Sequence, residues 1–217
     1  MEGVDNSYSV LMSVYVKEKA EYLRTAMDSI WNQTIPTDDF VLVCDGPLNE
    51  GLDAVIEKME EEHPDTLHVV RLEKNSGLGN ALNEGIKHCR HKLVARMDSD
   101  DISRPDRCER QLKVFQEHPD TSVVSGIVEE FTTSTTEIEA RRVPPETQEE
   151  IITFAKKRNP FNHPCVMYKN SPKVLTDTDF DRMMGSGKLL ARKVDSRQNR
   201  LFYEQLKVIC KESSLKM

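Results

Sequence analysis

The spacing of apolar residues along the 217-residue chain switches repeatedly between two periods. Residues 9–16, SVLMSVYV, are apolar and β-branched enough for a buried strand. In the next stretch, KAEYLRTAMDSIWNQT, Tyr22, Leu23, Ala26, Met27 and Ile30 recur at helical spacing, which predicts a helix with Trp31 and the Tyr22/Leu23/Met27 stripe in the core. DFVLVCDG predicts a second strand, GLDAVIEKMEEEH a second helix, LHVVRLE a third strand, ALNEGIKHC a third helix and KLVARMD a fourth strand. RPDRCERQLKVFQEHP adds a helix opened by Pro105, and TSVVSGIVEEF a further strand. After Thr132 comes a Thr/Ser-rich turn, then VPPETQEEIITFAKK, a short helix behind two prolines. Strands alternating with helices of this length need crossover connections, so the expected fold is α/β, with a mostly parallel central sheet covered by helices on both faces.

Composition narrows the partners. The length suits one sizeable domain. A formal net charge of −7 argues against a nucleic acid as main partner, because such binding draws on Lys and Arg at phosphates. No apolar run reaches the length of a membrane span, and MEGVDNSYSV lacks the basic and apolar regions of a signal peptide. The five cysteines, Cys44, Cys89, Cys108, Cys165 and Cys210, show no CxxC spacing and read as free thiols of a reducing compartment. These features point to a cytoplasmic protein.

In open parallel sheets ligands gather at the carboxyl ends of the strands. The first strand ends toward Tyr15, the second at Asp45-Gly46, the third near Asn75-Ser76-Gly77 and the fourth at Asp98-Ser99-Asp100-Asp101, so these groups should share one edge. Asp45 is either a turn or cap residue or part of a site. The acidic run needs compensation: Asp98 and Asp100 flank one residue, and a hard cation such as Mn2+ or Mg2+ would offset their repulsion. The alternative makes Asp101 or Ser103 the cap of the helix at Pro105 and leaves the other carboxylates solvated. Asn75, Gly77 and Asn80 lie where a loop meets a helix N-terminus, suited to ribose or phosphate contacts or simply to a turn before a helix.

The runs SVLMSVYVKEKAEYLRTAMDSIWNQT, VLVCDGP, NSGLGNALNEGI and ARMDSDDISRPDRCERQ, in that order and spacing, resemble the family 2 glycosyltransferases of the GT-A fold. The later NPFNHPCVMYKNS resembles a segment of bacterial members that build capsule, O-antigen or other exopolysaccharide, and the likeness extends over residues 8–171. The resemblance implies an inverting transfer of a sugar from a nucleotide-diphosphate donor to an acceptor hydroxyl, with a divalent metal on the pyrophosphate. It implies Asp100 and Asp98 as metal ligands, with Asp98 also a candidate for the ribose. Ser13, Tyr15 and Asp45 match positions around the nucleobase, where an Asp can accept the N3–H of uracil, which favours a UDP-sugar. Cys44 stands where the family often has a first acidic residue. His163 is expected to face the acceptor or the diphosphate, or else to be a strand histidine paired with backbone and held extended by Pro164.

The sequence departs from the family after Ser171. The acidic pair that precedes an aromatic residue and a Trp, and supplies the general base, has no counterpart; Asp177, Asp179 and Asp181 lie in a setting that does not match, and no base is assigned. Residues 1–171 are therefore read as the nucleotide-sugar domain and 172–217 as its C-terminal helical segment, with residues expected to be absent between about Asn170 and Pro172. The basic run KLLARK, residues 188–193, is either a solvated helix face or an approach to a lipid-linked acceptor at the inner face of the membrane. A sugar-phosphate nucleotidyltransferase is the rival enzyme, but SVYVKEKAEYL lacks the glycine-rich triphosphate loop it would need. A non-catalytic nucleotide-sugar binding protein is the other alternative.

Overall fold

The computed structural model describes residues 6–132, 134–155, 157 and 159–170. Four parallel strands form its centre: β1 (Ser9–Val14), β2 (Asp39–Cys44), β3 (Leu67–Arg71) and β4 (Leu93–Asp98). They alternate with α1 (Ala20–Trp31), α2 (Glu50–Glu62) and α3 (Leu78–Gly85), and α3 ends in a 3₁₀ turn, Ile86–His88. Then come α4 (Arg107–Glu117), β5 (Val123–Val124), β6 (Val128–Glu130), β7 (Ala140–Arg142), α5 (Gln148–Ala155), a second 3₁₀ turn at His163–Cys165 and β8 (Met167–Lys169). The main sheet has the order β3-β2-β1-β4-β8-β5, with β8 antiparallel to both β4 and β5.

Strand periodicity divides the core into two layers. Val10, Met12 and Val14 of β1, with Ala95 and Met97 of β4, meet Leu23, Met27 and Ile30 of α1, Leu52, Ile56 and Met59 of α2, and Leu112 and Phe115 of α4. On the opposite face Leu11, Val41, Val43 and Val94 meet Ala81 and Leu82 of α3. Both faces are covered, which is why β1 and β2 read as continuous apolar runs. Burying each such Leu, Ile or Met contributes about 1.5–3 kcal/mol. Helix α3 lies especially close to the sheet, since a Cβ on Gly85 would stand 2.5 Å from Leu11 Cδ1 and from Val43 Cγ2.

The register decides which polar residues meet. Ser13 of β1 is level with Val43 of β2 and with Asp98 of β4, so the strand ends finish together on one edge.

Several expectations change in detail. The segment TSVVSGIVEEF is two strands: β5 joins the main sheet, whereas β6 pairs with β7 in a separate two-stranded ribbon. Ser125 and Gly126 break it because their polar atoms are committed elsewhere: Asn162 N donates to Ser125 Oγ at 3.2 Å and Asn162 Nδ2 to Gly126 O at 2.8 Å. Helix α4 starts at Arg107 rather than Pro105, with Asp106 as its N-cap residue. Tyr22 leaves the predicted core stripe; it is 43% exposed and carries the Lys19 ammonium over its ring. Trp31 packs against Phe40 and stacks on His63. Cys44, Cys89, Cys108 and Cys165 are free thiols. Among the described residues no helix is long and apolar enough to cross a membrane. Asp177, Asp179, Asp181, the run 188–193, Cys210, the expected break after Asn170 and the segment 172–217 lie outside the described residues.

Candidate functional site

At the carboxyl edge of β1, β2 and β4 the chain encloses a pocket of about 650 Å³. Ser13, Tyr15, Asp45, Asn75, Gly77, Asp98, Asp100 and His163 all line it, so eight of the nine residues singled out in the sequence meet in one place. Asn80 does not: it is exposed on α3, and its Nδ2 donates back to Ser76 O at 2.7 Å.

The acidic run is the electrostatic centre. Ligand atoms of Asp98, Asp100 and Asp101 lie within 4.8 Å of one another. Burial and then the neighbouring Asp98 and Asp100 push the Asp101 carboxyl up to about 6, and Asp100 is raised by burial and by Glu18 and Asp98. Asp101 is no helix cap, because α4 starts at Arg107 with Asp106 in the N-cap position. Ser103 is not one either: its N–H donates to Ser29 Oγ, and its hydroxyl accepts from Gln33 Nε2. A set of hard oxygen donors whose own repulsion disfavours full ionisation is chemically suited to a divalent cation. Asp98 and Asp100 would hold it, with Asp101 beside them.

Asp45 has a different first duty. It is 4% exposed, and its carboxylate caps the chain where α3 begins. Oδ1 accepts from Ser76 N at 2.7 Å and Ser76 Oγ at 3.1 Å, and Oδ2 accepts from Gly77 N at 2.9 Å. Gly77 is the N-cap residue of α3, so these bonds fix the chain as it enters the helix. A carboxylate offers about four lone-pair sites, so roughly one remains on Oδ2 for a ligand N–H. The turn beside it is tight: Gly46 has φ +88°, and a Cβ there would fall 2.4 Å from Asn75 N.

Three polar wall residues escaped the sequence reading. Glu18, in the loop after β1, accepts from Ser99 Oγ at 3.0 Å and so braces the middle residue of Asp98-Ser99-Asp100. No periodic pattern marks such a loop residue. Asn159 also lines the pocket. Arg96 did leave a signal: it is a cation inside the apolar strand LVARMD, two positions before Asp98 and so on the same face. Its Nη2 pairs with Asp98 Oδ1.

His163 reaches the pocket through a buried clamp. Arg107 Nη2 donates to Arg96 O at 2.7 Å and to Val166 O at 3.2 Å, and its Nη1 to Pro164 O at 3.2 Å. Gln111, one turn along α4, donates to Cys165 O at 2.7 Å. These bonds fix residues 164–166 against β4, and His163 opens a 3₁₀ turn instead of extending a strand. Burial, then the nearby Arg96 charge, pull the His163 imidazole down to about 4, which keeps it neutral near pH 7.

A family model, "Glycosyl transferase family 2", matches residues 9–171. An uncharacterized glycosyltransferase of Haemophilus influenzae is 43% identical over 76% of this chain and 61% of its own. The amylovoran biosynthesis glycosyltransferase of Erwinia amylovora is 43% identical over 75% and 59%. The UDP-Gal:alpha-D-GlcNAc-diphosphoundecaprenol beta-1,3-galactosyltransferase of Escherichia coli is 37% identical over 75% and 58%. The chain thus spans about three-fifths of the length of these relatives. In fold it is similar to the Pyrobaculum calidifontis mannosyltransferase solved with GDP-Man and Mn2+, with a TM-score of 0.55 and 20% identity over 75% of this chain and 44% of that one. It is likewise similar to residues 1–349 of Staphylococcus aureus TarS with UDP-GlcNAc, with a TM-score of 0.56 and 21% identity over 75% and 45%.

Proposed function

The chain belongs to glycosyl transferase family 2, with the GT-A fold, and from that premise we propose that its pocket binds a nucleotide-diphosphate sugar and directs the sugar onto a hydroxyl of a glycan acceptor. The observation that carries the reading is the pocket in which the ends of β1, β2 and β4 and the loop after β3 bring together Ser13, Asp45, Asn75, Gly77, Asp98 and Asp100. Family membership sets the nucleotidyltransferase alternative aside.

In this reading the loop from Asn75 to Gly77, held down by Asp45, and Ser13 and Tyr15 across from it receive the nucleoside. The free lone pair of Asp45 suits a ring N–H such as that of uracil. Asp98 and Asp100 hold Mn2+ or Mg2+, which when bound supplies positive charge against the diphosphate as the glycosyl bond breaks. Glu18 keeps the Asp98-Ser99-Asp100 turn in shape, and neutral His163 stands on the acceptor or diphosphate side. A UDP-sugar is the proposed donor, in keeping with the UDP-Gal used by the Escherichia coli galactosyltransferase and the UDP-GlcNAc bound by Staphylococcus aureus TarS. A lipid-linked acceptor met at the inner face of the membrane, in surface-glycan synthesis, is proposed by analogy with the diphosphoundecaprenol-linked acceptor of the Escherichia coli relative and the amylovoran synthesis of the Erwinia amylovora one. The break with family pattern after Ser171 leaves residues 172–217 proposed as the C-terminal part of the same domain.

Calorimetry with UDP, GDP and CDP, each with and without Mn2+, tests the proposal. Mn2+ should tighten UDP binding, and Asp100→Ala should abolish most of that gain while leaving the fold intact. Equal affinity with and without metal in the parent protein would overturn the metal assignment, and no nucleotide binding under any condition would overturn the function.

A further inference from the structure

Resting on the nucleotide-diphosphate reading, we infer that Arg96 is a diphosphate-binding residue: a fixed guanidinium that offers a phosphoryl oxygen of the donor the nitrogens it does not spend on Asp98. Arg96 is 2% exposed and among the largest fully buried side chains of the protein. One nitrogen, Nη2, pairs with Asp98, while Nε and Nη1 are buried and without a hydrogen-bond partner. A guanidinium stays charged at any working pH and carries five N–H donors, so burying two of its three nitrogens unmet is costly. Neutralising Asp98 alone does not account for it, because a lysine ammonium would do that with no planar fork to satisfy.

The surroundings select an anion for the open nitrogens. Arg96 lines the pocket, and no other Lys or Arg among the described residues does, whereas Glu18, Asp45, Asp98 and Asp100 all do. A diphosphate entering that wall meets repulsion from four carboxylates and attraction from one fixed cation. The backbone under Arg96 cannot retreat, because its N–H donates to Val166 O at 2.9 Å and its carbonyl accepts from Arg107 at 2.7 Å. His163 Nε2, buried and likewise without a partner, adds a second open polar atom on the same pocket wall. Arg96 thus supplies part of the diphosphate affinity before any metal binds, and shares Asp98 with the metal once it does.

The test is binding in EDTA to the full chain, with UDP and GDP as ligands and uridine and guanosine as controls. Arg96→Lys keeps the charge beside Asp98 but loses the fork. It should weaken nucleoside-diphosphate binding about 10- to 100-fold, as the loss of a charge-assisted hydrogen bond implies, and leave nucleoside binding unchanged. A second measurement needs no variant: in the parent protein the Arg96 Nε–H resonance should shift with the diphosphate and not with the nucleoside. Equal binding by parent and variant, equal losses for diphosphate and nucleoside, or a loss seen with UDP-GlcNAc but not with UDP would each overturn the assignment. So would an Arg96 Nε–H signal indifferent to the diphosphate. A parent protein that binds no nucleoside diphosphate with or without Mn2+ overturns the functional reading and this inference together, which distinguishes the two failures.

Discussion

Replacing Asp45 with alanine removes three hydrogen bonds from the start of α3, two donated by the backbone at Ser76 and Gly77 and one by the Ser76 hydroxyl. A hydrogen bond to a charged group is worth about 1.5–3 kcal/mol and loss of an N-cap about 0.5–2 kcal/mol. Ser76 and Gly77 are half-buried, so water can recover part of the loss, and the expected cost is about 2–4 kcal/mol. At about 2–4 °C per kcal/mol for a domain of this size, the melting temperature should fall by roughly 4–16 °C. Asp45→Asn keeps one acceptor oxygen and should lose about half as much. Thermal unfolding followed by circular dichroism reads the size, and amide hydrogen exchange at Ser76 and Gly77 reads the place. If Asp45→Ala melts within about 1 °C of the parent, or the two amides exchange no faster, the capping argument fails and the carboxylate serves the ligand alone.

Two further outcomes follow from the same edge. Burial and the neighbouring carboxylates hold the folded Asp101 carboxyl at about 6, above the ordinary aspartate value of about 3.9, so between about pH 4 and 6 the unfolded chain gives up its proton first and stability falls as pH rises. Asp101→Asn should therefore stabilise the metal-free protein above pH 6 and make no difference below pH 4; melting curves in EDTA showing the same gain at both ends would refute this. Gly46→Ala should cost at least about 2 kcal/mol, because it combines a left-handed backbone with a Cβ 2.4 Å from Asn75 N. Urea denaturation with an unchanged midpoint would count against that turn geometry.

What the sequence alone determined is what local period and residue type can carry. Apolar spacing located the four parallel strands and their helices, because a strand buried on both faces and a helix buried on one stripe each leave a repeat within a few residues. The rule that ligands meet strand ends then collected Asp45, Asn75, Gly77 and Asp98 on one edge, and the register of β1 with β4 brings Ser13 level with Asp98. The tertiary structure alone decided what each polar atom faces. Asp45 and Gly77 are 32 positions apart, so nothing local could reveal that the carboxylate caps α3. Tyr22 fits the helical stripe by spacing yet is 43% exposed, with the Lys19 ammonium over its ring. TSVVSGIVEEF reads as one strand, and it breaks only because Asn162 claims Ser125 and Gly126. Arg96 was visible as a charge in an apolar strand, but whether a buried charge is paired or left open depends on the shell around it. That shell is assembled from α4, β4 and the turn at His163, elements distant in the chain that only folding brings within hydrogen-bond reach.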